Sequence, residues 1–123
     1  MQIDFYHLPG GRSPINDFLG GLSDKAHMKA LWTLETIQSL YPKPNAYLEK
    51  LSNAGELWEV KVQQGNNIYR LLGFFKTPDE LMLVHAFVKK TQKTPPREID
   101  LALQRKKEYN ERKKNGHQNQ ESG

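Results

Sequence analysis

The sequence predicts an α+β fold, in which a small antiparallel meander sheet with an N-terminal strand packs against N-terminal helices and a C-terminal helix. Three short segments that alternate apolar and polar residues follow one another after residue 56, and their connections are too short for parallel strands. Apolar residues at helical spacing precede these segments, and a charged helical stretch follows them. The chain has 123 residues and no cysteine, which fits one domain without a disulfide framework.

The N-terminal part predicts a strand and then a short helix. Residues 2–7 alternate apolar and polar side chains until prolines and glycines break the pattern. Ser13 followed by Pro14 indicates a helix start, because serine can cap the first turn and proline has no donor to leave unpaired there. Gly20 and Gly21 are expected to end this helix.

A longer helix is predicted over residues 23–40, and Pro42 ends it. Its apolar residues recur at intervals of three and four, so they predict one buried stripe: Met28, Leu31, Trp32, Leu34, Ile37 and Leu40. Residues 41–56 are expected to be irregular, with Leu48 and Leu51 against the core.

The meander strands are predicted at residues 57–62 and 68–76 and from residue 81 onward. Residues 63–67 and 77–80, which connect them, contain the Gly, Asn and Pro residues typical of tight turns. The strands are therefore expected to be joined as antiparallel hairpins.

The C-terminal part begins with a second helix start signal. Thr94 is expected to cap a helix that runs from Pro95 to about Lys113. We expect a single domain over residues 1–113 and a disordered tail over residues 114–123, because the tail has nothing to bury.

Positive charge is concentrated near the C-terminus. Residues 89–114 hold ten basic side chains and four acidic ones, a net charge of +6, whereas the whole chain carries +4, so the remainder carries −2. This polarisation suggests a surface for a polyanion or an acidic protein partner. A solvated basic helix without a partner is the alternative.

The composition also limits the location of the protein. The first residues lack a basic stretch followed by an apolar run, and no apolar segment approaches the length needed to cross a bilayer. We therefore expect a soluble, cytoplasmic protein that does not associate with membranes.

Strand alternation predicts which side chains share a surface. In the third meander strand it places His85, Phe87 and Lys89 on the face of Leu81 and Leu83, opposite Met82, Val84, Ala86 and Val88. If helices cover the apolar face, the exposed face presents one group of side chains: Glu59, Lys61, Arg70, His85, Phe87 and Lys89. A β-bulge would change this grouping.

This group predicts metal-free cleavage of RNA. Several cations on one surface can hold a phosphodiester and stabilise the charge that develops on phosphorus. A histidine or a carboxylate can transfer the proton, and an aromatic ring can stack on a base. The four histidines show no ligand spacing and cysteine is absent, so we expect neither a bound metal nor another cofactor.

Each of these residues also has a structural explanation. Arg70 can be the ion-pair partner of Glu59 or Asp4, and His85 can be a half-buried histidine with its hydrogen bonds satisfied. Phe87 can belong to the core. Lys89 and Lys90 can be a solvated strand end, so the prediction of a site depends on their joint placement.

Three sequence segments carry a resemblance to a known family. LWEVKV, YRLLGFFK and LVHAFVKKTQKTPPREIDLAL, in this order after a strand and two helices, resemble the RelE/HigB toxin superfamily, in particular its branch of phage-derived host-inhibition toxins. The resemblance covers nearly all of residues 1–110, and HAFVKKTQKTP is its most specific part. It implies a RelE-like fold.

The resemblance also implies an activity. Related toxins of type II toxin–antitoxin pairs cut messenger RNA in the ribosomal A site by attack of the ribose 2′-hydroxyl on the adjacent phosphate. On matching positions, Arg70 would stabilise the phosphate, Lys61 would add a cation, and His85 or Glu59 would transfer a proton. Lys89, also implied to be catalytic, and Lys90 would bind RNA or the developing charge, and Phe87 would stack on a base. Lys93 and Arg97 are further residues implied to contact RNA. The last strand lacks the terminal tyrosine that several relatives use, so the resemblance leaves the acid unassigned.

The implied partners are messenger RNA and 16S ribosomal RNA in the A site and a helix-turn-helix antitoxin encoded beside the toxin. Operon DNA would be bound only through the antitoxin. The alternative function is a non-catalytic growth inhibitor on the same fold, such as a ParE-like gyrase poison, or a phage protein that only binds nucleic acid.

Overall fold

The structure is a computed structural model that describes residues 1–90 and 93–122, and the side chains of the last helix as far as residue 115. Five strands and three helices are present in the described residues. In chain order they are β1 (Gln2–Phe5), α1 (Pro14–Gly20), α2 (Asp24–Leu40), β2 (Leu48–Lys50), β3 (Trp58–Gln64), β4 (Asn67–Thr77), β5 (Glu80–Val88) and α3 (Pro96–Ser122).

The strands form one mixed sheet with the order β1-β5-β4-β3-β2. β3, β4 and β5 make the predicted antiparallel meander, which confirms the α+β class and the RelE-like arrangement. β1 pairs with β5 in parallel. This pairing is possible because residues 6–79, rather than a short turn, connect the two strands. β2 pairs antiparallel with β3 at the other edge, within the segment predicted to be irregular, so that prediction was wrong.

Helices cover both faces of the sheet. Ile15 of α1 and Ile37 of α2 are fully buried in one core with Val60, Val62 and Leu71. On the opposite face, Ala102 of α3 is buried with a second set of sheet residues: Leu72, Phe74, Met82 and Val84. The face predicted to be open is therefore partly covered by α3.

A β-bulge between β4 and β5 shows that part of the predicted assignment of β5 side chains to the two faces of the sheet was wrong. Leu72 lies opposite His85, but its neighbour Gly73 lies opposite Leu83, so the register shifts by one residue between them. The shift turns Leu83 towards α1 and α2, and Val84 towards α3. Leu81 and Leu83 therefore do not share the face of His85, because one extra residue in a strand reverses the alternation beyond it.

The bulge depends on the absence of a side chain at Gly73. A Cβ atom there would overlap the carbonyl oxygen of Met82 and crowd the side chain of Leu83. We expect Gly73→Ala to lower the free energy of unfolding by about 1–3 kcal/mol, measured by urea denaturation. Gly20→Ala, where nothing lies within 4 Å of the added carbon, is the control and should leave stability unchanged or higher. Equal stability of both variants would contradict this account of the bulge.

The buried face of α2 differs from the predicted stripe. Leu34 and Ile37 are buried as expected, but small or polar residues complete the buried set: Ala26, Ala30 and Thr33. Four residues of the predicted stripe are exposed instead: Met28, Leu31, Trp32 and Leu40. Helical spacing identified the helix correctly, but small residues allow the close approach to the sheet, so they define the face that packs.

The predicted cap of α1 was right, and the predicted cap of α3 was wrong. Ser13 Oγ and Ser23 Oγ accept hydrogen bonds from backbone N–H groups of α1 and α2 at 3.2 Å each. Thr94 does not cap α3 because the helix begins at Pro96, two residues further along the chain. The Thr94 hydroxyl donates to the Glu59 carboxylate at 2.5 Å. The helix also continues to Ser122, beyond the end predicted near Lys113. The division into a domain of residues 1–113 and a tail of residues 114–123 stays a prediction.

Polar contacts attach α3 to the segment after β1. The hydroxyl of the buried Tyr6 donates to Glu108, and Arg112 binds both Glu108 and the carbonyl oxygen of His7, the latter at 2.9 Å. Burial, together with the hydrogen bond to Glu108, raises the pKa of Tyr6 to about 12.

No helix among the described residues has an apolar stretch long enough to cross a membrane.

The Tyr6 contact predicts a pH-dependent stability difference. Tyr6→Phe removes a hydrogen bond to a carboxylate and should cost about 1.5 kcal/mol at neutral pH. Because the raised pKa reflects stabilisation of the neutral phenol, this advantage of the wild type is fully present below the ordinary value of 10.0 and is lost as the pH rises towards about 12. Urea denaturation of both proteins from pH 7 to 12 measures it, and a constant difference across that range would contradict the assignment.

Candidate active site

A cleft of about 500 Å³ opens on the α3 side of the sheet, where β2, β3, β4 and the segment after β5 meet. Four cationic side chains and two carboxylates are among its lining residues, which are Glu49, Leu51, Ser52, Glu59, Lys61, Arg70, Lys89, Lys93, Thr94 and Ile99. Five of the predicted site residues therefore come together here: Glu59, Lys61, Arg70, Lys89 and Lys93. The cleft is a positively charged cavity of a size that fits a small polar group.

Strand register explains why these side chains meet. Lys61 of β3 lies opposite Arg70 of β4, which lies opposite Phe87 of β5. In the next row, Glu59 lies between Glu49 of β2 and Leu72. Directly opposite residues point to the same face, so the two rows place cations and carboxylates side by side.

Glu59 and Arg70 form a buried ion pair at the floor of the cleft. The side chains are 1% and 8% exposed, and an Arg70 Nη1 donor contacts one oxygen of Glu59. The other oxygen accepts the hydroxyl of Thr94. Both oxygens of Glu59 are thus engaged, which makes Glu59 a residue that positions Arg70 and the segment after β5 rather than an accessible base.

Arg70 keeps hydrogen-bonding capacity after pairing with Glu59. Its buried Nε has no hydrogen-bond partner within the described part of the chain. An unpaired buried donor costs about 1–3 kcal/mol and calls for an explanation. Arg70 also lines the cationic cleft, and a guanidinium there is suited to bind the oxygens of a phosphate.

The surroundings of Lys89 affect the protonation of its side chain. Burial and the nearby charge of Arg70 lower the pKa of the Lys89 ammonium, and Lys61 adds to this effect. The backbone N–H of Lys89 donates to the carbonyl oxygen of Ile68 at 2.8 Å, which extends the pairing of β5 with β4. The backbone of Lys89 is thus held by the sheet, and its ammonium gives up a proton more readily than that of an ordinary lysine.

His85 lies on the same face of the sheet but does not line the cleft. Its Nε2 lies 2.5 Å from Glu98 Oε2, and its Nδ1 lies 3.3 Å from Arg105 Nη1, which also donates to the Val84 carbonyl oxygen at 2.8 Å. Both ring nitrogens are therefore engaged. The geometry favours a role in attaching α3 to the sheet over the predicted proton transfer.

Phe87 contacts the histidine ring rather than the cleft. The two rings are stacked, with centroids 5.7 Å apart and planes at 21°. Lys90 and Arg97 are exposed, and neither is among the residues that line the cleft. RNA contacts of Phe87, Lys90 and Arg97 stay predictions for a surface next to the cleft.

Sequence reasoning missed the wall of the cleft that β2 provides. Glu49, Leu51 and Ser52 line this wall, and all lie in the segment expected to be irregular. The Asn45 side chain shapes the turn before β2 by accepting backbone N–H groups of Tyr47 and Leu48, at 2.9 Å and 3.1 Å. A strand of three residues, Leu48–Lys50, is too short to produce a pattern, and the apolar pair Leu48 and Leu51 was its one signal.

The fold is that of a RelE-like α+β protein. Helices α1 and α2 lie on one face of its mixed sheet, and α3 lies beside a cationic cleft on the other face. The family model described as "Phage derived protein Gp49-like (DUF891)" matches residues 17–107 of the 123-residue chain. The protein belongs to this Gp49-like family, which is part of the RelE/HigB-like toxin–antitoxin superfamily. A search of the curated proteins found no significant match.

Proposed function

We propose that this protein is the toxin of a type II toxin–antitoxin pair and cuts messenger RNA in the ribosomal A site, in the cytoplasm and without a metal ion. The observation that carries the proposal is the cleft in which the buried Glu59 holds Arg70 beside three lysines, Lys61, Lys89 and Lys93. Membership in the Gp49-like family supports a toxin-like function.

The cleft residues suit attack of the ribose 2′-hydroxyl on the adjacent phosphate. Arg70 would donate hydrogen bonds to the non-bridging oxygens, on which negative charge accumulates in the transition state. Lys61 and Lys93 would bind the RNA backbone on either side. Lys89, with its lowered pKa, would donate a proton to the departing 5′-oxygen.

The proposed partners follow from the charge of the chain and from its superfamily. The basic residues of α3 would contact 16S ribosomal RNA, whose phosphates attract clustered lysines and arginines. A helix-turn-helix antitoxin would neutralise the toxin, and operon DNA would be bound only through that antitoxin.

Primer extension on a defined messenger RNA tests the proposal. Purified protein is incubated with the message in the presence and in the absence of translating ribosomes. We expect cuts at codon-spaced positions only with ribosomes. Cuts on naked RNA would remove the ribosome from the mechanism, and an intact message in both tubes, from protein that still arrests growth, would contradict the nuclease and favour a gyrase poison.

A further inference from the structure

We infer that Glu49, at the rim of the cleft on β2, is the general base that accepts the proton of the attacking 2′-hydroxyl. The inference rests on the proposed nuclease function and adds a residue that was not among the predicted site residues. It follows from which proton acceptors the cleft leaves accessible and from where Glu49 lies relative to Arg70 and Lys89.

Two other carboxylates near the site, Glu59 and Glu98, already have side-chain partners. Glu59 is 1% exposed and uses one oxygen for Arg70 and the other for Thr94. Glu98 contacts His85 and does not line the cleft. Neither can reach a substrate hydroxyl in the cleft without giving up a contact that holds the fold.

Glu49 is both in the cleft and accessible. Its side chain is 64% exposed, and its described ion-pair contact is with Lys61, whose Nζ lies 3.5 Å from Glu49 Oε2. At that distance, and with both groups open to water, the pair is weak and can rearrange when RNA binds. A carboxylate oxygen can accept a proton from a hydroxyl that it contacts.

The order of the strands places Glu49 on the side of the cleft opposite Lys89. Glu49 belongs to β2, Arg70 to β4, and Lys89 follows β5, so Arg70 lies between them in the sheet order β5-β4-β3-β2. In an in-line displacement, the attacking and leaving oxygens lie on opposite sides of phosphorus. This displacement requires a base and an acid on opposite sides of the phosphate, with a cation between them. Glu49, Lys89 and Arg70 have this arrangement in the cleft.

The proposed step balances in atoms and charge. The 2′-oxygen forms a bond to phosphorus as its proton moves to the Glu49 carboxylate, and the bond from phosphorus to the 5′-oxygen breaks as Lys89 protonates that oxygen. The products are a 2′,3′-cyclic phosphate and a 5′-hydroxyl. Exchange of protons with water restores the carboxylate and the ammonium.

Glu49→Gln tests the inference in single-turnover cleavage on programmed ribosomes. Loss of a general base should slow cleavage by about 10²–10⁴-fold, while the variant binds the ribosome as tightly as the wild type or more tightly, because a negative charge has been removed. The matched control is Glu35→Gln on the exposed side of α2, across the sheet from the cleft, which should cleave at the wild-type rate.

A second message separates a base from other roles. In this message, sulfur replaces the 5′-bridging oxygen at the cut phosphate, so the leaving group no longer needs an acid. Glu49→Gln should remain slow on it, whereas Lys89→Met should recover most of the wild-type rate.

Three outcomes would overturn the inference. Two of them leave the proposed nuclease function intact, and the third removes it. Cleavage by Glu49→Gln within about threefold of the wild type, or recovery of this variant on the sulfur-containing message, would exclude Glu49 as the base while leaving the nuclease intact. An uncut message with wild-type protein would remove the proposed function itself, and the inference with it.

Discussion

Replacing Arg70 by alanine is expected to reduce ribosome-dependent cleavage by at least about 10²–10³-fold, the loss seen when one donor to a transition-state oxyanion is removed. Arg70 is the cation at the floor of the cleft, where the buried Glu59 holds it. Single-turnover cleavage of a defined message on programmed ribosomes measures the effect.

Arg70→Ala also leaves the buried Glu59 without its partner, so the variant can lose activity by unfolding. Arg70→Lys keeps a positive charge next to Glu59 but cannot present the planar fork of a guanidinium. We expect Arg70→Lys to be folded, as judged by thermal denaturation, and still strongly impaired in cleavage. A folded Arg70→Lys that cleaves at the wild-type rate would show that the fork is not needed.

Replacing Glu59 by leucine is expected to lower the free energy of unfolding by about 3–5 kcal/mol, because it leaves a buried guanidinium without its counter-charge. The Glu59 side chain is 1% exposed, and it also accepts the hydroxyl of Thr94. Urea denaturation of the variant measures the loss, and cleavage should fall with it, since Arg70 would no longer be held in place.

The double variant Glu59→Leu/Arg70→Met separates the ion pair from simple loss of packing. Replacing both partners by apolar residues removes the unpaired charge, so the double variant should be much more stable than Glu59→Leu alone. Glu49→Gln, which breaks the exposed pair with Lys61, is the control and should change stability by less than about 1 kcal/mol. A double variant no more stable than Glu59→Leu would show that the pair does not account for the loss.

Much of the fold followed from local signals in the sequence. The start of α1 at Ser13, the position of α2 and the meander strands were predicted because a cap, helical spacing, turn residues and alternation each have a local cause. Local signals could not predict the pairing of β1 with β5, because it joins residues that are far apart in the chain. The same is true of α3 packing on the cleft face, which depends on where Ala102 approaches the sheet.

The sequence predicted which residues come together at the centre of the cleft, but one edge of the cleft was missed. Lys61, Arg70 and Lys89 were grouped by alternation, and this grouping holds because the bulge at Gly73 lies beyond them. The ion pair of Glu59 with Arg70 and the half-buried, hydrogen-bonded His85 were among the structural explanations that the sequence offered. The partners Thr94, Glu98 and Arg105 were not predicted, because they lie after β5 and reach these residues only in the folded chain. Glu49 was missed because β2 is too short to give a pattern.

The most direct test of the central claim is the chemistry of the ends produced when the wild-type protein cuts a message in the A site. Attack by the 2′-hydroxyl leaves a 5′-hydroxyl on the downstream fragment, which polynucleotide kinase labels without prior phosphatase treatment, and a 2′,3′-cyclic phosphate on the upstream one. We predict these ends with wild-type protein and their near absence with Arg70→Lys. A 5′-phosphate on the downstream fragment would show that water, not the ribose, attacks, and would contradict the mechanism proposed for the Arg70 cleft.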